Sequence, residues 1–272
     1  MAADRGAISV NGADIAWMAE GAGPDVVLIH SAIADMRMWD ELVGRLRDRH
    51  RVIRYDMRGW GESPRPPGRY SHIEDLAALL TELGDGPATL VGCSLGSRVA
   101  VEFALEHPDA ARALLLLSPF LRGHKWTPEL GQFWAERRQD LDNGDIDAAV
   151  RLNVEQWAGG LPEEQRQLIA DMQRRAFELE LAVDAQQDGF EPPAAQRLGE
   201  LRLPTLVAVG ERDFSDFHAV ADRLARGIAH SRSAMVPGAG HLLPMERPRE
   251  TAGLLEELER APTSAIERGP QM

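Results

Sequence analysis

The amino-acid sequence implies an α/β protein whose doubly wound, mostly parallel sheet is interrupted by a helical cap. Three observations carry this. Apolar runs of strand length, such as "DVVLIHS" (25–31) and "ARALLLLSP" (111–119), alternate with amphipathic helices, the pattern of parallel strands covered on both faces. One such run passes into a helix through Gly-x-Ser-x-Gly at 92–96. From Leu121 to Gln196 the alternation stops and only helical patterns follow. The expected division is a core of 1–120 and 197–260, a cap of 121–196, and a flexible tail at 261–272.

Taken in order, "AISVNG" and "ADIAWMAEG" are strands joined at Asn11-Gly12, a hairpin signal. "DVVLIHS" is a buried strand, "MWDELVGRLRD" an amphipathic helix, and "HRVIRYDMRGWGES" a further buried strand running into a glycine-rich turn. "SHIEDLAALLTELG" is a helix with Ser71 as cap and Glu74 at capping-box spacing. "ATLVG" and "SRVAVEFALEHP" are a strand and a helix meeting at Ser94, and "ARALLLLSP" is the next buried strand. The insertion reads as three helices, 128–144, 145–160 and 162–187. Strand "PTLVAVGERD", helix "DFHAVADRLARGI", strand "SRSAMVPGAGH" and helix "RPRETAGLLEELER" complete the pattern. Inserted between parallel strands near their carboxyl ends, the three helices are placed to roof a site there.

Composition excludes several classes. Acidic residues outnumber basic ones 43 to 30, for a net charge of −13, which disfavours nucleic acid and anionic membranes as partners. No apolar stretch is long enough to span a bilayer, and "MAADRGAISVNGADIAW" lacks the basic start and apolar block of a signal peptide. Cys93 is the single cysteine, which rules out an internal disulfide framework, and no Cys/His cluster has zinc-ligand spacing. The expectations are a cytoplasmic monomer or homodimer acting on a small molecule, with no cofactor and no metal.

Gly92 and Gly96 flank Ser94, which suits a strained turn that raises the serine hydroxyl at the carboxyl end of the sheet. A serine attacks only once a base takes its proton. Of eight histidines, most lie in helices, at a strand start or in loops, and His30 ends a strand where a backbone hydrogen bond is its expected task. His241 follows "VPGAG" after the last strand, on a glycine-rich loop at the carboxyl edge. The base needs an anion on its other nitrogen. "VAVGERDFSDF" offers Glu211, Asp213 and Asp216. Asp213, three residues past Gly210, is favoured by position, and Asp216 suits a cap for the following helix. Oxyanion donors are expected at the amides of Leu95 and Ala32, with Ser31 in the same loop.

The pieces "VVLIHS", "VIRYDMRGWGES", "LVGCSLGSRVAVEFALEHPDAARALLLLSP", "LPTLVAVGERD" and "VPGAGHLLPMERP" together resemble the α/β-hydrolase superfamily over nearly the whole chain. "LIHSAIADMRMWD" with "VIRYDMRGWGES" is most similar to the branch of 3-oxoadipate enol-lactonases and small carboxylesterases. The resemblance implies Ser94, Asp213 and His241 as a triad with oxyanion amides at Ala32 and Leu95. Ser31 stands where that superfamily often has glycine, as does Ser97. Some members carry the acid after the strand before the cap; here that strand ends in Ser118-Pro119, which supports Asp213.

The expected activity is hydrolysis of a small carboxylic ester or lactone. The alternatives are carbon–carbon bond hydrolysis, peracid formation or a non-hydrolytic biosynthetic step on the same scaffold, and, in another class, a receptor-like binding protein with little turnover. Phe120, Trp126, Phe133, Trp134, Trp157 and Phe177 either line a pocket or fill the cap's own core. Trp126 and Trp134 are the pocket candidates among them. The segment 121–196 carries 15 acids against 8 bases, which counts against a strongly anionic substrate.

Overall fold

In the computed structural model, which describes residues 3–260, Asn11 and Gly12 join strands β1 (Asp4–Val10) and β2 (Ala13–Glu20) in an antiparallel hairpin. Both turn residues have positive φ, 46° and 76°, which Asn-Gly adopts with little strain. The expected tail at 261–272 lies outside the described residues.

The chain continues through β3 (Asp25–Ile29), β4 (Arg51–Tyr55), the short β5 (Gly68–Tyr70), β6 (Ala88–Cys93), β7 (Ala111–Leu117), the short β8 (Ala185–Gln187), β9 (Thr205–Gly210) and β10 (Ser231–Val236). All but β5 and β8 form one sheet in the order β1-β2-β4-β3-β6-β7-β9-β10. Every pairing from β4 to β10 is parallel, and β2 pairs antiparallel with both its neighbours. Every residue of β3, β6 and β9 is buried, which is why these strands read as unbroken apolar runs.

Helices α1 (Asp40–Leu46), α2 (His72–Leu83) and α3 (Leu95–Glu106) precede the insertion. Ser71 caps α2 by accepting from the Glu74 amide, as the capping-box spacing implies. Within the insertion lie α4 (Pro128–Asp142), α5 (Ile146–Trp157) and α6 (Glu163–Leu181), and after it α7 (Ser215–Gly227), the short α8 (Leu243–Glu246) and α9 (Pro248–Arg260). Among the described residues no helix is long and apolar enough to cross a membrane.

The insertion is not wholly helical. The expected third helix stops at Leu181, six residues short of Gln187, and residues 185–187 form β8, paired with β5. The Gly68 amide donates to the Asp184 carbonyl and the Asp188 amide to the Tyr70 carbonyl, while Arg65 donates to the Ala185 carbonyl. Backbone partners from the loop after β4 satisfy these groups, so extended structure replaces the last turns of helix.

Candidate active site

The turn between β6 and α3 holds Ser94 at φ 52° and ψ −111°, a strained conformation for a residue with a side chain. Its amide donates to the Leu117 carbonyl at 2.9 Å, and its carbonyl accepts from the Ser97, Arg98 and Phe120 amides. A Cβ at Gly92 would overlap the Gly96 carbonyl, and one at Gly96 the Ile29 carbonyl. Glycine at both places therefore lets α3 start directly against β3 and β6. Ser97 closes the turn, donating from Oγ to the Gly92 carbonyl at 2.7 Å and the Leu117 carbonyl at 3.2 Å. It is fully buried and serves packing. Cys93 is buried too, its Sγ 3.9 Å from the His241 carbonyl oxygen, and burial pushes its thiol well above the usual range.

The loops after β9 and β10 bring Asp213 to His241. The His241 Nδ1 lies 3.0 and 2.9 Å from the two Asp213 oxygens. Both side chains are nearly out of solvent, at 5% and 1% exposed. Asp213 Oδ1 also accepts from the Phe214 amide at 2.9 Å. A carboxylate accepting at Nδ1 fixes the tautomer, so the imidazole's basic nitrogen is Nε2. The ring packs between Trp157 and Phe217, with centroids 4.5 and 4.4 Å away.

The other two acids have different tasks. Glu211 accepts from the Gly238 amide and steadies the loop after β10. Asp216 was expected to cap α7, but the residue at that cap is Phe214. Instead, Asp216 reaches across to the insertion, accepting from the Thr127 amide at 2.9 Å and the Thr127 hydroxyl at 2.6 Å, with His124 at 3.5 Å. Burial raises its carboxyl, and the Thr127 bonds and His124 outweigh that and hold it below the ordinary value.

The loop after β3 carries Ala32, and its geometry follows from His30. The buried His30 ring accepts the Met57 amide at Nε2, 2.9 Å, which leaves Nδ1–H to donate to the Ser31 carbonyl at 2.8 Å. Burial lowers its pKa to about 4, so the ring stays neutral and keeps both bonds. In a trans peptide the N–H points opposite to the C=O, so His30, by holding the Ser31 oxygen, turns the Ala32 N–H the other way. The next carbonyl, that of Ala32, is held by Trp60 Nε1 at 2.9 Å and Gln173 Nε2 at 3.0 Å. Among the described residues neither the Ala32 nor the Leu95 amide donates to another group, and both residues line one cavity with Ser94 and His241.

That cavity, of about 290 Å³, is walled by Ile33, Phe120, Trp134, Arg137, Trp157 and Phe217. Its size is at the low end for small-molecule sites. Two expected lining residues fall elsewhere. Ser31 is fully buried beneath the loop, because its peptide is taken up by His30 and Met38. Trp126 lies one layer back, stacked on Phe120 at 4.5 Å. Phe133 and Phe177 are buried in the insertion's own core, while Trp157 both fills that core and faces the site.

Several site residues escaped the sequence reading. Glu246, its side chain 2% exposed, accepts from the Gly240 amide at 2.8 Å and the Leu242 amide at 3.3 Å, gripping the backbone on both sides of His241. Buried Asn153 donates to Gln173, which in turn reaches the Ala32 carbonyl. The signal for Asn153, Gln173 and Arg137 was present: each insertion helix has one polar residue in its apolar stripe. Arg137 sits among Leu130, Phe133, Trp134 and Leu141, Asn153 among Val150, Val154 and Trp157, and Gln173 among Ile169, Ala176 and Phe177. No group of three or more candidate metal ligands occurs among the described residues.

Residues 26–254 match the sequence model of the Alpha/beta hydrolase family. The pimeloyl-[acyl-carrier protein] methyl ester esterase of Methylococcus capsulatus is 30% identical over 255 residues, 87% of this chain and 95% of that protein. A thermophilic esterase from Thermogutta terrifontis superposes with a TM-score of 0.77 at 28% identity, over 94% of this chain and 98% of the other. The enol-lactonase of Burkholderia xenovorans LB400 has the same fold, with a TM-score of 0.77 at 24% identity, over 93% and 99% of the two chains.

Proposed function

The chain belongs to the alpha/beta hydrolase family, and from that premise we propose that it is a serine hydrolase cleaving a small carboxylic ester or lactone through an acyl-enzyme on Ser94. One observation carries the reading: the Asp213–His241 hydrogen bond, at 2.9 Å, opens on the same cavity as Ser94 and two undonated amides.

In this reading Ser94 Oγ attacks the carbonyl carbon while its proton passes to His241 Nε2. The oxyanion that forms accepts from the Ala32 and Leu95 N–H groups, which make no other hydrogen bond among the described residues. The tetrahedral intermediate collapses, and the leaving alkoxide takes the proton from His241. Water then gives a proton to His241 and attacks the acyl carbon. The acid leaves, and the proton returns to Ser94. Asp213 stays ionised throughout and balances the imidazolium. The printed activities of the esterase relatives support an ester as the bond cleaved.

The test is a panel of short aryl esters and lactones, assayed with the wild type and Ser94→Ala. The expected loss is about 10⁴-fold or more with the fold intact, since the remaining amides and binding surface supply only residual catalysis. Turnover by Ser94→Ala near the wild-type rate overturns the reading. Wild type inert on every ester and lactone moves the protein to another bond type or to binding alone.

A further inference from the structure

One arginine, Arg137 on α4, lines the cavity beside Ser94. Among the described residues Arg137 makes no hydrogen bond and no ion pair, and its Nε is shut off from water without a partner. Glu180 is the acid whose charge acts on it, yet that carboxylate is paired with Arg138 at 3.3 Å. Burial pulls the Arg137 guanidinium below its ordinary value; Glu180 opposes this and the charge of Arg138 adds to it.

Such an arrangement works against the fold. Arg137 is half-buried with its Nε cut off from water; a cation partly out of water without a counter-ion is destabilising, and an apolar side chain would complete the α4 stripe without that cost. Buried polar groups are almost always satisfied, so the missing partner is expected from outside the chain. The acid surplus of the insertion does not supply it: none of the 15 acids of 121–196 lines this cavity. Apart from Arg137 and the reacting groups the walls are apolar, so an anion there meets one strong partner and little competition from water.

We propose that Arg137 is the anion-recognising residue of this cavity, and that the substrate is an ester or lactone carrying a carboxylate that pairs with Arg137 while its carbonyl lies at Ser94. The proposal rests on the reading of Ser94 as nucleophile. A carboxylate matches the paired N–H groups of a guanidinium. A phosphate dianion brings a second charge, and no second cationic side chain of ordinary basicity lines the cavity. The small volume, about 290 Å³, restricts the acid to a short chain.

The experiment pairs methyl esters that differ only in the terminal group, monomethyl glutarate against methyl pentanoate, with the succinate and adipate homologues beside their neutral counterparts. Wild type is expected to favour the charged member by about 10- to 100-fold in kcat/KM, the value of a charge-assisted pair away from water. Arg137→Met removes that preference and leaves the neutral ester within a few-fold, and Arg137→Lys keeps part of it. A binding arm needs no turnover: hexanoate and glutarate, titrated by calorimetry into Ser94→Ala, bind, and binding is lost in Ser94→Ala with Arg137→Met. Thermal melts complete the set, with Arg137→Met as stable as wild type or more so. Equal kcat/KM for charged and neutral esters in the wild type, carboxylate binding that survives Arg137→Met, or a large fall in melting temperature on that substitution overturns the proposal. Carboxylate binding through Arg137 with no ester turnover leaves the anion site standing and removes the hydrolase reading instead.

Discussion

Asp213, on the loop after β9, and Asp216, in the first turn of α7, are given opposite duties: one holds the His241 ring, the other ties α7 to Thr127 at the start of the insertion. Sequence position alone separated Asp213 from its neighbours, since an acid just past the end of a buried strand can reach a histidine on the adjacent loop. The role of Asp216 was not legible, because its partner is 89 residues away and a helix-start aspartate resembles a cap in any sequence. Two outcomes follow at this scale. Asp213→Asn keeps the fold and lowers turnover about 10⁴-fold near neutral pH, by favouring the wrong imidazole tautomer. Asp216→Ala keeps most of the rate on a small ester and lowers stability by about 1–3 kcal/mol, the cost of leaving the Thr127 donors unpaired. Kinetics and denaturant melts on both variants check the pair, and the reverse ranking would exchange their roles.

At the scale of elements, strands and helices of the core were readable because periodicity reports burial. β3, β6 and β9 are buried throughout, and the hairpin and the α2 cap follow from local chemistry. β5 and β8 were missed because three-residue strands have no period and exist only through one another. The polar residues of the insertion helices were visible but unassigned. A polar side chain in an apolar stripe announces a buried partner without naming it. Gln173 shows what such a residue connects: α6 is joined through it to the carbonyl of Ala32, which lines the cavity with Ser94. Gln173→Leu is therefore expected to lower kcat by about 10- to 100-fold, less than the roughly 10²- to 10³-fold of losing one oxyanion donor outright, since the Ala32 amide itself remains, with a smaller change in KM. A fall confined to KM, or to melting temperature, would make Gln173 a packing residue only. The walls behave differently. Trp134 faces the cavity directly, whereas Trp126 acts through Phe120.

Across the whole molecule, the sheet order gathers the site. β3, β6, β9 and β10 end at one edge of a parallel run, so residues 32, 94, 213 and 241 converge although 209 positions separate the first from the last. That convergence was legible in outline from chain order, because parallel strands place their carboxyl ends together. Charge was less legible. The count of 43 acids to 30 bases covers the whole chain, while the residues lining the cavity near Ser94 include Arg137 and no acid. Net composition averages over the places where chemistry happens. The most direct measurement is active-site titration with a fluorophosphonate, following ester turnover and locating the adduct by peptide mass. One equivalent is expected on Ser94, with activity falling in proportion to its occupancy and no adduct in Ser94→Ala. Full turnover by protein completely modified at Ser94, or loss of activity with the adduct on another residue, would contradict it.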